Sequence, residues 1–152
     1  PNTVYIAGGG HVGLAVSKIM RTLDFNVIVF DNRNNIQTIE ENTFAHKIIT
    51  TEYSSIGKYI KEGEKSYVVI VTPSHDGDKD ALQAVLNLDL KYIGSMGSAK
   101  KIISIFNQLK SEGFTDKELE RINTPIGLEI EAETPEEIAI SIAAEIIQVK
   151  NL

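Results

Sequence analysis

Gly8, Gly10 and Gly13 stand in G-x-G-x-x-G spacing within "YIAGGGHVG", which runs from Tyr5 to Gly13. That spacing suits a pyrophosphate when a strand leads into it and a helix leads out. Gly8 then permits the tight turn, Gly10 lets the backbone approach the anion, and Gly13 lets helix and strand pack closely. The helix start adds unpaired N–H groups and a partial positive charge. The bland alternative is a glycine-rich turn that binds nothing, because the motif alone is a weak signal. The second half of the fingerprint is an acid about 20 residues on, at the end of a second strand. Asp31 closes "NVIVFD" at that place. A carboxylate there accepts hydrogen bonds from both ribose hydroxyls and repels a 2′-phosphate, so it favours NAD over NADP, a preference that Arg33 softens. His11, inside the loop, either meets a phosphate or ribose or is an exposed helix-start histidine.

Two further turns carry groups of interest, "VTPSHDGDKD" and "YIGSMGSAKK". Both follow predicted strands, and ligands of open α/β sheets sit beyond the carboxyl ends of the strands. In the first, Asp76, Asp78 and Asp80 resemble the start of a calcium loop. The pattern fails further on, where Ala81 replaces the glycine of loop position six and Asn87 the acid of position twelve. No metal is therefore expected, and Asp76 and Asp78 suit a helix N-terminus. His75 near Asp78 has the chemistry of a proton shuttle, with nothing to show what would react. In the second turn, Gly94, Gly97 and Ser98 lead into a helix bearing Lys100 and Lys101. This is either a second anion site or a glycine-kinked strand end with solvated lysines. No Tyr-x-x-x-Lys pair, G-x-S-x-G elbow or Walker lysine is present, so the balance leans away from an enzyme.

These groups need a scaffold, and the chain supplies a βαβ pattern. The runs Val4–Ala7, Val27–Phe30, Lys47–Thr50, Tyr67–Thr72 and Lys91–Gly94 read as strands buried on both faces. Leu14, Ala15, Ile19, Met20 and Leu23 mark one face of a helix between the first two. Helices are expected over Asp76–Leu88 and Ser98–Glu112, the latter stopped by Gly113. Thr115 with Glu118, and Thr134 with Glu137, have capping-box spacing. The last helix, Pro135 to about Lys150, has an apolar face wide enough for a core helix or a subunit contact, which makes a homodimer an expectation. The economical reading is one α/β domain over residues 1–152: a doubly wound, Rossmann-like, mostly parallel sheet of about five or six strands with helices on both faces.

The chain has 152 residues, no cysteine and a net charge of −6. Disulfides, thiolate metal sites and a cysteine nucleophile are excluded. An acidic balance argues against nucleic-acid binding. No apolar run reaches the ~20 residues of a membrane span, and no signal peptide is visible. A cytoplasmic protein is expected. Pro1 reflects either methionine removal or a trimmed chain.

Four stretches together resemble the C-terminal Rossmann domain of the XdhC/CoxI family of molybdenum-enzyme accessory proteins: "VYIAGGGHVGLAV" with "VFDNR", "VTPSHDGDKDAL", "YIGSMGSAKK" and "TPIGLEIEAETPEEIAISIAAEII". The last two are the specific ones, matching at Gly94, Gly97 and Ser98, at Pro125 to Leu128, and at Ala132 to Ala139. The resemblance implies a role in maturing enzymes such as xanthine dehydrogenase, by binding the molybdenum cofactor, protecting it during sulfuration and delivering it to the apo-enzyme. Three departures stand out. Pro73-Ser74 replaces the family's Arg-Gly, "GSAKK" replaces "GSRRK", and Glu131 replaces a glycine. Family members often carry a separate N-terminal domain, so a sequence that starts at Pro1 is either a trimmed piece or a stand-alone relative.

The expected ligand is NAD(H) or NADP(H), with the molybdenum cofactor as a further candidate. The binding set comprises the loop Gly8, Gly9, Gly10, His11, Val12 and Gly13 and the pair Asp31 and Arg33. Thr72 and His75 add to it from the fourth strand end, and Gly94, Gly97 and Ser98 from the fifth. The expected partner is a molybdenum hydroxylase apo-enzyme. Two other readings are an NAD-sensing module of a transport system, disfavoured by "PIGLEIEAETPEE", and a small NAD-dependent oxidoreductase, disfavoured by the missing catalytic set.

Overall fold

The computed structural model describes residues 1–152. Six strands form one parallel sheet in the order β3-β2-β1-β4-β5-β6. They are β1 (Thr3–Ala7), β2 (Asn26–Asp31), β3 (Lys47–Thr50), β4 (Gly63–Ile70), β5 (Leu90–Ser95) and β6 (Ile122–Asn123). Helices α1 (His11–Thr22), α2 (Gln37–Glu40), α3 (His75–Val85), α4 (Ala99–Ser111), α5 (Asp116–Leu119) and α6 (Pro135–Lys150) connect or flank them, with a 3-10 helix at Tyr53–Tyr59. The chain winds outward from β1 through β2 to β3, then returns to lay β4 on the other side of β1. The switch point therefore lies between β1 and β4, where a ligand cleft opens in such sheets.

Apolar residues fill the strands because both faces are covered. Along β1, Val4 and Ile6 join a core with Val16 and Met20 of α1 and Ile142 and Ile146 of α6. Tyr5 and Ala7 point the other way, into a core with Ile56, Leu82 of α3 and Ile105 of α4. Helix α6 thus serves the core, while Ile140 and Ile147 stay exposed on its outer face. Both expected capping boxes are present. Thr115 and Glu118 exchange hydrogen bonds at the start of α5, as do Thr134 and Glu137 at the start of α6, where Pro135 occupies the first turn.

The structure corrects several details. The inward stripe of α1 is Gly13, Val16, Ser17 and Met20, whereas Leu14, Ala15 and Ile19 are half-buried and Leu23 is exposed beyond the last turn. Strand β4 starts at Gly63 and ends at Ile70, because a register shift between Gly63 and Tyr67 carries its polar residues along β5. Helix α3 runs from His75 to Val85, so it ends three residues before the expected Leu88 and starts one residue earlier than expected, because Ser74 caps it by accepting from the Gly77 N–H. The Ser74 departure from the family pattern is therefore the cap of a helix. His46, just before β3, accepts the Val27 N–H of β2 on its Nδ1 at 3.0 Å.

Glu131 adopts φ +57°, a left-handed conformation that costs an L-residue about 1–2 kcal/mol and glycine almost nothing. The family's glycine there has a backbone reason. Glu131→Gly is expected to raise the unfolding free energy by about 0.5–1 kcal/mol, the strain relief less glycine's extra unfolded-state entropy. Urea denaturation checks it, and a loss of stability would contradict the strain.

Candidate nucleotide-binding site

The glycine loop sits between the ends of β1 and β4. The Gly8 N–H donates to Phe30 O and the Val71 N–H to Ala7 O, so the loop is sewn to both neighbouring strands. Gly8 has φ +116°, and a Cβ there would overlap the Val71 carbonyl. A Cβ on Gly13 would overlap the Gly8 carbonyl, whereas one on Gly10 meets nothing within 4 Å. Gly8 and Gly13 are thus demanded by the fold, and Gly10 leaves open space above the loop. Helix α1 begins at His11 with Gly10 as its N-cap and no side chain capping it. By contrast α3, α4, α5 and α6 are capped by Ser74, Ser98, Thr115 and Thr134. The first N–H groups of α1 have no intrahelical partner and face this opening.

Asp31 ends β2 fully buried. Its Oδ2 accepts from the Gly9 N–H at 2.8 Å and Arg33 Nη2 at 3.0 Å, and its Oδ1 from the Arg33 N–H and Nε, both at 2.9 Å. A carboxylate offers about four acceptor sites, and protein donors fill them all. Asp31 is therefore a brace beneath the loop rather than the open ribose acceptor expected from its position. Burial alone would raise its pKa, but the Arg33 guanidinium and the Gly9 and Arg33 N–H groups outweigh that and hold it below the usual 3.8. Arg33 is correspondingly raised, chiefly by its bonds to Asp31. Tyr53 lies beside the pair, buried, its hydroxyl without a hydrogen-bond partner and its pKa pushed up to about 12 by burial and then by the Asp31 charge.

A depressed carboxyl pKa means that the folded state binds fewer protons than the unfolded one between the two values. The contribution of Asp31 is thus present in full above about pH 4 and is lost as pH falls through its lower folded value. A melting curve series from pH 6 downward is expected to show this acid limb in the wild type and a shallower one in Arg33→Met. Parallel limbs would show that the pair contributes nothing.

Across the cleft, Thr72 follows β4. Its N–H and hydroxyl reach Asp78 Oδ1 at 3.0 and 2.6 Å, and Lys101 Nζ reaches Asp78 Oδ2 at 3.0 Å. Asp78, 1% exposed, thereby ties the end of β4 to the starts of α3 and α4. Burial raises its carboxyl pKa, with Thr72 and Lys101 opposing. His75 turns away, with Nε2 3.2 Å from Ser104 and Nδ1 3.5 Å from Asp76. His75 and Asp78 therefore form no proton-transfer pair. Asp76 is exposed while Asp78 points inward, and no three His, Asp or Glu residues gather as metal ligands. At the β5 end Gly94 is buried, and a Cβ there would overlap Ile126. Gly97 turns with φ +147°, Ser98 caps α4, and Lys101 is paired with Asp78. Two groups that the sequence offered to an anion at this turn are engaged by the protein itself.

Three cavities run side by side across the strand ends. One of about 330 Å³ lies by Arg33, Gln37 and Glu41, one of about 360 Å³ by Val12, Thr72 and Pro73, and one of about 410 Å³ by Ser98, Ile126 and Leu128. The first two share Gly10, His11 and Arg33, and the last two share Met96. Met96, Gln37 and Tyr53 escaped the sequence reading. They lie on a turn and on helices too short for any periodicity to announce them.

A parallel sheet in this order, with a glycine loop at its switch point, defines a Rossmann-type domain. The chain belongs to the XdhC Rossmann domain family, which it matches over residues 4–146. It is 30% identical to the Escherichia coli (strain K12) protein named "Uncharacterized protein YqeB", over 99% of this chain and 28% of that protein. It is 27% identical to a probable xanthine dehydrogenase subunit of Bacillus subtilis (strain 168), over 95% of this chain and 42% of the relative. A crystal structure of a xanthine dehydrogenase from Bacillus halodurans superposes with a TM-score of 0.84 at 27% identity, covering 99% of this chain and 43% of that one. The chain thus spans less than half the length of these relatives. No helix is long and apolar enough to cross a membrane.

Proposed function

We propose that this chain is the nucleotide-binding domain of an accessory protein that serves a molybdenum hydroxylase of the xanthine dehydrogenase type. In this reading it holds a dinucleotide, NAD(H) or NADP(H), or the molybdenum cofactor itself, and works in the cytoplasm beside the apo-enzyme. Family membership and the names of the relatives support the hydroxylase side. The observation that carries the ligand side is the uncapped start of α1 beneath the open space at Gly10, where every other helix of eight or more residues has a side-chain cap.

The residues present fit such a group. The N–H groups of the first turn of α1 lack intrahelical partners and would suit one anionic centre above the loop, where the helix dipole favours negative charge. His11 and Arg33 line the cavities on both sides of that centre, and Thr72 and Met96 form the far bank. A bound nicotinamide would supply hydride chemistry and a bound molybdenum cofactor its metal centre. The protein's part is to bind and orient that group.

Gly10→Ala tests this cleanly. The new methyl meets no protein atom and Gly10 has φ −76°, so apo stability is expected to fall by only about 0.5–1 kcal/mol, the N-cap preference for glycine over alanine. The ligand, however, loses its approach to the backbone. A thermal-shift panel with NAD, NADH, NADP, NADPH, AMP, CMP and molybdopterin should raise the wild-type melting temperature by about 5–10 °C for any ligand at 100 times its dissociation constant. The shift should vanish in Gly10→Ala. No shift with any ligand would sink the cleft reading, and failure of a molybdenum hydroxylase to co-purify would sink the accessory one.

A further inference from the structure

Asp31, at the place where a bare carboxylate would grip a ribose diol, has no acceptor site left. Arg33 covers both its oxygens, and the Gly9 N–H takes a further site. The Asp31 charge that would repel a phosphate is neutralised at contact distance by a guanidinium. Of the three guanidinium nitrogens of Arg33, Nε and Nη2 are engaged on Asp31. Its side chain is 39% exposed and lines the cavities on both sides of the glycine loop, with Nη1 hydrogen-bonded to nothing. The cavity beyond the end of β2 is polar: Ile36 is the one hydrophobic residue of its seven, and His11, Gln37 and Thr38 add donors. Glu41 is the one acid on its wall, and its carboxylate accepts from the Gln37 amide at 2.7 Å.

From this geometry we infer that Arg33, with His11, forms a phosphomonoester site at the end of β2, and that the cleft takes a dinucleotide bearing a 2′-phosphate in preference to one with a free ribose diol. The inference rests on the dinucleotide reading above and specifies it. The planar fork of a guanidinium can hold a carboxylate on one edge and a phosphate on the other. The same residue thus removes the acceptor that NAD would use and supplies the donor that NADP needs. In the bare sequence Asp31 points to NAD. With Arg33 folded over it, the preference reverses.

Isothermal titration of the wild type with NADP, NAD, adenosine 2′,5′-bisphosphate and 5′-AMP tests this. NADP is expected to bind about tenfold or more tightly than NAD, and the bisphosphate to exceed AMP by a similar factor. In Arg33→Met the ratio should fall to unity or invert, as Asp31 is uncovered for the ribose. His11→Ala, at an exposed position, should weaken the 2′-phosphorylated ligands and leave the apo melting temperature unchanged. If Arg33→Met does not fold by circular dichroism, the wild-type ratios and His11→Ala decide. NAD binding as tightly as NADP in the wild type would overturn the phosphate site and leave the dinucleotide reading standing. No binding of any nucleotide would overturn both.

Discussion

Gly13→Ala is expected to destabilise the protein by roughly 3 kcal/mol or more, lowering its melting temperature by about 6–12 °C. The new methyl would overlap the Gly8 carbonyl oxygen, far inside van der Waals contact distance, with the Gly8 carbonyl carbon 3.0 Å away. Both are backbone atoms of the loop. Neither can swing aside as a flexible side chain would, so α1 must lift away from β1. That movement would open the core where Val16 and Met20 meet Ile6. The neighbouring Gly10→Ala, three residues away, is the internal control, because its methyl enters empty space. A Gly13→Ala protein that melts like the wild type would mean that the close helix–strand approach is not needed.

Asp78→Ala is the second large effect, at about 2–4 kcal/mol and roughly 5–15 °C. The carboxylate takes the Thr72 N–H, the Thr72 hydroxyl and the Lys101 ammonium in an almost solvent-free place. On its removal the hydroxyl still has Ser74 O at 3.0 Å and Lys101 still has water, but the Thr72 N–H has no other acceptor. Gly77 packs so near that a Cβ there would lie 2.6 Å from Thr72 Oγ1, leaving little room for the strand end to relax. Asp78→Asn keeps an acceptor for Thr72 and removes the charge, so it should cost less. Equal losses in urea denaturation of the two variants would instead assign the effect to the Lys101 ion pair.

Much of the scaffold was legible because several constraints coincide on the same residues. Gly8 and Gly13 answer to local sterics, the strands beside them to burial on two faces, and Thr134 with Glu137 to a reciprocal cap. Each is a short-range rule, and each places its element to within a few residues. What escaped depends on contacts between distant segments. Strand β6 has two residues, α2 four and the Tyr53–Tyr59 helix seven, too few for a period to show. The inward face of α1 was misplaced by one position, since Leu14 and Ala15 are as apolar as Val16 and the sheet alone decides among them. At the candidate site the sequence offers both Asp31 and Arg33, but nothing in their spacing tells whether the guanidinium reaches outward or folds back. Lys101 likewise looked free until Asp78, on another helix, was placed opposite it.

The strand order also governs when the site becomes complete as the chain is synthesised. Strand β1 borders β2 and β4, and β4 is paired only after the two strands that precede it in the sequence have been laid on the opposite side. Until Ser66–Ile70 emerges from the ribosome, the β1 edge beside the glycine loop has no ladder partner, and Val71 cannot close the loop from the far side. The face of α1 that packs against α6 waits longer still, for the last helix of the sequence. Parallel pairings between distant segments form slowly and leave strand edges exposed meanwhile. The nascent chain therefore carries the whole glycine motif long before both strands that flank it are paired around it.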